Sequence, residues 1–224
     1  MTSTDQPSES APTSRRRQRE ATRSAILDAA RQAWAEHGYD DVGLRDIAGR
    51  AGVTAAMVNR YFGSKKELFR EAVGTRDPSP PTLAGLDHAD FGRHLADLIT
   101  SGGHRAAAPD EDDYDPILIL LRSAASHAAR PVLRDYVENT VIPPLAGYFG
   151  DDDSARERAA LVLSLLLGMT ALGRMLGVEP LDTTAAQDGT APDRRGLNAV
   201  LAAMLQAAAD TTPPAATPPP PDRL

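Results

Sequence analysis

The chain has 224 residues, 42% of them hydrophobic, with no cysteine and a formal charge of −7. It holds enough apolar material for a large core or two smaller ones, and it excludes disulfides, thiolate metal sites and a cysteine nucleophile. Residues 14–76 carry 13 Lys and Arg against 8 Asp and Glu, a local +5, while the rest holds 11 basic against 23 acidic residues; a basic third on an acidic body is the asymmetry of a protein of which one part touches phosphates.

Both ends fall outside the expected fold. Residues 1–14 and 211–224 are rich in Pro, Ser and Thr and carry almost no large apolar side chain, so neither can offset the entropy of ordering. The amino terminus lacks the apolar stretch of a signal peptide. The longest apolar run, residues 159–173, is closed by Arg158 and Arg174 and falls short of the roughly 20 residues of a spanning helix. A cytoplasmic protein with no membrane partner is the expectation.

In chain order, periodic segments run at helical spacing with no sustained alternation, which predicts an all-α protein. The first helix, about 16–37, places Ile26, Ala30, Ala33, Trp34 and His37 on one face, and Gly38 supplies a left-handed stop. A second helix at about 44–51 buries Leu44, Ile47 and Ala48. A third runs over about 54–62 with Thr54 as its N-cap. Ser64 caps a fourth, about 65–74, with Glu67 placed to complete a capping box. Pro78, Pro80 and Pro81 then end the helical pattern and divide a small domain, 15–76, from a larger one, 82–210. The larger domain is expected to hold helices at about 88–100, 114–127, 130–148, 154–177 and 193–210, nine in all, joined by long polar loops.

Residues 44–62 have the character of a helix-turn-helix. In that motif two helices cross steeply, so the first needs a small residue where the backbones touch and the turn needs positive φ. Ala48 and Gly52 fill these roles, with Ile47, Ala51, Val53, Val58 and Tyr61 buried around them. Any helical hairpin with a Gly turn could show as much. The third helix, however, turns Ala55, Ala56, Met57, Asn59 and Arg60 outward, and small residues there let its backbone approach base edges in a groove about 12 Å wide. Lys65 and Lys66 stand at the start of the fourth helix, where free N–H groups and the dipole already favour an anion.

Over residues 22–69 the chain resembles the amino-terminal domain of the TetR family of bacterial transcriptional regulators. The residues that carry the likeness are Thr22, Ile26, Ala29, Ala30, Trp34 and Gly38, then Ile47-Ala48, Ala51-Gly52-Val53, and Tyr61-Phe62 with Lys65, Glu67 and Leu68. The resemblance implies a helix-turn-helix domain followed by a larger helical ligand-binding and dimerisation domain. It implies that Arg45 reaches a base edge or phosphate, that Thr54 belongs to the DNA-binding set, that Ala55, Ala56, Met57 and Asn59 face the major groove, that Arg60 and Tyr61 lie near the backbone, and that Lys65 holds a phosphate. The chain departs from many relatives in having Val42 and Gly43 where Ser or Thr starts the second helix, and Ala56 and Asn59 where Gly and Tyr are common. Asn59 could pair bidentately with an adenine. "SRRRQR" at 14–19 reads either as an arm along the DNA or as a solvated basic helix start.

In the larger domain the stretch around 161–173 is apolar on all sides, which needs burial on more than one face. The last helix presents Leu197, Val200, Leu201, Met204 and Leu205 as a stripe. A monomer core could absorb both. The resemblance implies instead a four-helix bundle with a second copy, through Leu161, Leu165, Gly168 and Leu172 together with that stripe, and so a near-palindromic site. It implies too a small-molecule effector, with Phe91, Leu95, Leu98, Leu120, Leu121, Tyr136, Val137 and Thr140 either lining its pocket or forming simple core. The expected function is a ligand-released repressor that binds double-stranded DNA as a homodimer; a helical ligand-binding or interaction protein with a decayed DNA-binding domain is the alternative.

Enzyme chemistry finds no support in the pattern, and neither a cofactor nor a metal is expected. His37, His88, His94, His104 and His127 form no i, i+4 pair on a helix, there is no Gly-rich phosphate loop, and the acidic 110–115 segment lacks the spacing of a calcium loop.

Overall fold

The structure, a computed structural model, describes residues 11–74, 83, 85–100, 114–150, 152, 154–181 and 195–211. The proposed disordered ends, the Pro boundary at 76–81, most of the two long loops, His104 and Asp110–Asp113 lie outside the described residues, apart from a few residues at their edges. Among the described residues the chain is helical with no strand. The α-helices are α1 (Ala11–His37), α2 (Leu44–Arg50), α3 (Ala55–Phe62), α4 (Lys65–Gly74), α5 (Phe91–Thr100), α6 (Pro116–Ser123), α7 (Arg130–Tyr136), α8 (Ile142–Phe149), α9 (Ala155–Thr170) and α10 (Arg195–Asp210). A π-helical turn, Val137–Val141, follows α7 and leads into α8, so the single helix expected at 130–148 contains a break in hydrogen-bond pattern. A second π turn, Ala171–Met175, extends α9.

Two compact units divide the chain. The first comprises Met1–Asp77 and Ala107–Val137, so α6 and α7 belong with the amino-terminal helices. Its core forms where α1 meets α2, α4 and α6, and where α4 meets α7. Ile26, Trp34, Ile47, Val58, Leu68 and Phe69 are fully buried there. Phe69 sets its edge against Trp34 at 5.0 Å and against Tyr39 at 4.8 Å, the edge-to-face geometry that the ring quadrupole favours. His37, expected on the buried stripe, is exposed, because α1 has reached its last residue there. The buried polar residue on α1 is Arg31: its Nε donates to the Ala72 carbonyl at 3.3 Å, Nη1 pairs with Asp28 at 3.1 Å, and the guanidinium lies 5.5 Å from the Tyr114 ring centre. Asp115 is the N-cap of α6, accepting the Ile117 N–H at 2.9 Å.

The second unit comprises Pro78–Ala106 and Glu138–Leu224. α5 lies tightly along α10, and α9 packs on α8 and α10. Phe91, Tyr148 and Phe149 form an aromatic cluster with ring centres 5.0 to 5.8 Å apart. Arg158, a polar boundary in the sequence pattern, is buried. Its guanidinium donates to the Ala209 carbonyl at the end of α10 (2.8 Å) and the Phe149 carbonyl at the end of α8 (3.3 Å), and it pairs with Asp152. One buried cation thus satisfies orphan carbonyls at two helix ends. The helical run Ala155–Met175 is 21 residues long, longer than the apolar run within it, and is the one described helix long and apolar enough to cross a membrane by length and composition.

Candidate nucleic-acid interface

The turn between α2 and α3 is built as the spacing requires. Gly52 has φ +65°, and the Val53 N–H returns to the Ala48 carbonyl at 2.9 Å. A Cβ on Gly52 would meet nothing within 4 Å, so the turn needs its backbone freedom rather than its small size. Ala48 is buried beneath the turn and Val58 is completely so. Thr54 caps α3, accepting the Met57 N–H at 3.3 Å. Phe62, with the Arg23 guanidinium 4.9 Å from its ring centre, is the buried aromatic at the end of α3, and Tyr61 beside it is half-buried.

α2 starts without a side-chain cap because Gly43 has none to offer. The Asp46 carboxylate supplies half a capping box from the other direction, accepting the Gly43 N–H at 2.8 Å. The box expected at α4 is likewise half made. Ser64 Oγ accepts the Glu67 N–H at 3.1 Å, but the Ser64 N–H goes to the Phe62 carbonyl and the Glu67 carboxylate pairs with Arg70.

Once these caps fix α2 and α3, the outward residues follow. Arg45, Thr54, Ala56, Met57, Asn59 and Arg60 are exposed, while Ala55, Tyr61 and Lys65 are half-buried. Several neighbouring cations are spent on carboxylates: Arg16 on Glu20, Arg23 on Glu71, Arg50 on Glu36 and Arg70 on Glu67. Arg45, Asn59, Arg60 and Lys65 make no side-chain hydrogen bond or ion pair among the described residues. The Lys65 ammonium instead sits 4.3 Å from the centre of the Tyr39 ring, and burial pushes its pKa below the ordinary lysine value, partly offset by Asp40, Asp41 and Asp46. The basic stretch 14–19 forms part of α1 rather than an extended arm, with Arg15, Arg16, Arg17 and Arg19 exposed.

The remaining site residues separate by unit. Leu120, Leu121, Tyr136 and Val137 are half-buried residues of the first unit; Phe91, Leu95, Leu98 and Thr140 belong to the second, with Phe91 and Leu95 in its core. Leu201 and Leu205 face inward and are buried within the chain, whereas Leu161, Gly168, Leu172, Val200 and Met204 are exposed and Leu165 and Leu197 half-buried. No spacing signal in the sequence joins Tyr39 to Lys65.

A capped short helix after a glycine turn, with uncommitted polar side chains outward, has the geometry of a helix-turn-helix domain. A model described as bacterial regulatory proteins, tetR family, matches residues 26–72, and a tetracyclin repressor-like C-terminal domain model matches residues 103–208. The chain belongs to the TetR family. It is 45% identical over 79 residues to the HTH-type transcriptional regulator BetI of Agrobacterium fabrum, covering 34% of this chain and 38% of that protein. It is 32% identical over 139 residues to the HTH-type transcriptional repressor LfrR of Mycolicibacterium smegmatis, covering 61% and 62%. With the HTH-type transcriptional repressor BepR of Brucella suis it shares 28% identity over 162 residues, covering 70% and 68%. The matched segments thus span less than two thirds of the first two relatives.

Proposed function

We propose that the chain is a DNA-binding transcriptional repressor that reads a near-palindromic operator as a homodimer and is released by a small-molecule ligand. The observation that carries the reading is the set Arg45, Asn59 and Arg60, exposed on α2 and α3 with hydrogen-bonding capacity unspent among the described residues, in a unit where several other cations are paired. Arg45 would reach a base edge or phosphate, Asn59 an adenine edge, and Ala56 and Met57 would admit α3 to the groove. Names of relatives support the regulatory role, since several are called transcriptional repressors.

A second copy would cover exposed apolar side chains on α9, the π turn after it and α10: Leu161 at 64%, Leu172 at 43%, Val200 at 59% and Met204 at 53%. Large apolar residues clustered on two neighbouring helices mark an association surface. Two-fold pairing would give the operator its inverted symmetry. The effector reading rests on family membership, and among its candidate contacts Leu120, Leu121, Tyr136 and Val137 in the first unit and Leu98 and Thr140 in the second are half-buried. A protein that reads operators works beside the chromosome, so the proposed place is the cytoplasm.

Selection of duplexes from a random pool at physiological salt tests the reading. Enrichment of an inverted repeat is expected; no enrichment, or enrichment without inverted symmetry, overturns it.

A further inference from the structure

Lys65 opens α4 and is half-buried, yet its ammonium pairs with no carboxylate among the described residues. It lies over Tyr39, 4.3 Å from the ring centre. Tyr39 is 6% exposed and is held by two more rings, 6.1 Å from Trp34 in a stacked arrangement and 4.8 Å edge-on to Phe69. Trp34 and Phe69 are themselves fully buried. The platform under the lysine is therefore fixed by the core, and its face carries the negative end of the ring quadrupole.

A long, flexible lysine side chain has rotamer entropy to lose when it binds. Seating the ammonium on a rigid ring removes much of that loss before a partner arrives, while N–H donors facing away from the ring stay open to an acceptor. The acidic groups nearby are in part committed elsewhere: Asp40 accepts from Ser126 Oγ at 2.9 Å and Asp46 from the Gly43 N–H at 2.8 Å. No local pairing thus explains why a half-buried cation should stand at a helix amino terminus, where its charge opposes the dipole; an arriving anion explains it.

We propose that Tyr39 is a positioning residue for DNA binding: its ring face holds the Lys65 ammonium at the start of α4, ready for a backbone phosphate. This rests on the DNA-reading assignment above. Tyr39 does not touch DNA; it acts through Lys65.

The salt dependence of binding separates this role from a packing role. Each phosphate neutralised contributes about 0.9 to the slope of log K against log salt. Binding of the full chain to a mixed-sequence duplex long enough for two half-sites is measured across a salt series. Lys65→Met should flatten the slope by about 0.9 per bound subunit. Tyr39→Leu should do the same, and the double variant should lose no more than either alone. Tyr39→Phe, which keeps the ring, should keep the wild-type slope. Because Tyr39→Leu could unfold the unit, a series of fluorinated phenylalanines at position 39 supplies a second measurement: the ring retains its shape while its negative face weakens, and affinity should fall stepwise with fluorine number, roughly two- to fivefold over the series.

An unchanged slope in Lys65→Met overturns the proposal, as does a flattened slope in Lys65→Met alongside an affinity that ignores fluorination. Failure of the wild-type chain to bind any duplex at low salt overturns the DNA-reading assignment itself and this proposal with it, a result distinct from the first two.

Discussion

The backbone N–H of Gly92 on α5 donates to Oε1 of Gln206 on α10 at 2.9 Å, and a Cβ on Gly92 would fall 2.2 Å from the Ala202 carbonyl oxygen. The two helices pass so closely that backbone meets backbone, and Gln206 also donates to the His88 carbonyl at 3.0 Å. Gly92→Ala must push α10 away, because the atom it strikes is backbone and cannot rotate aside. Overpacking of this kind costs about 1–3 kcal/mol, and denaturant melts should show a loss of at least that size. A neutral outcome would mean that α5 and α10 are not held this close.

Gly38 makes a second such contact within the first unit. Its φ is +80°, and a Cβ there would lie 2.6 Å from the Arg122 carbonyl oxygen on α6. Gly38→Ala adds left-handed strain of about 1–2 kcal/mol to the clash. It should therefore cost more stability than Gly52→Ala, which meets the strain alone; thermal melts of the two variants check the order.

Charge placed on the exposed apolar face should break the proposed dimer while sparing the chain's own fold. Leu161→Glu acts at a side chain 64% exposed, so a monomer with an unchanged helical circular-dichroism spectrum is expected by light scattering at micromolar concentration. Leu205→Ala, at a fully buried position, should instead cost about 2–5 kcal/mol of stability. A monomeric wild-type chain would sink the interface.

For DNA reading, Arg45→Ala and Arg60→Ala are conservative tests because neither side chain makes a hydrogen bond or ion pair among the described residues. A base-contacting arginine should lose about 1–3 kcal/mol of operator affinity with relaxed preference at one position, while a phosphate-contacting one should weaken all sequences alike. Mobility-shift titrations against the selected operator and its single-base variants distinguish the two, and unchanged affinity in both would favour a decayed reader.

Glu36 ties α1 to α2 through Arg50 at 2.6 Å, and this hydrogen bond draws its carboxyl below the usual carboxylate range. A depressed folded pKa gives stability that is present above the unfolded value and is lost as pH falls through the folded one. The pair is largely exposed, so the effect is small. Wild type should melt above Glu36→Gln at neutral pH, and the gap should close as pH falls below the ordinary glutamate range. A gap independent of pH would show that the charge contributes nothing.

The sequence by itself determined much of the local structure. The helix limits at Gly38, Thr54 and Gly52 were legible because caps and positive φ are local properties, set by a residue and its near neighbours. Helical periodicity likewise announced α9 and α10 and their apolar faces. Tertiary structure alone decided which apolar residues are spent inside the chain: Leu201 and Leu205 are buried, while Val200 and Met204 on the same helix remain outside. It also placed α6 and α7 with the amino-terminal helices, buried Arg158 at two helix ends, and brought Tyr39 beneath Lys65. The physical reason is one of range. Capping and periodicity act over three or four residues, whereas burial and ring contacts depend on which distant segments meet, and no spacing in the chain records that meeting.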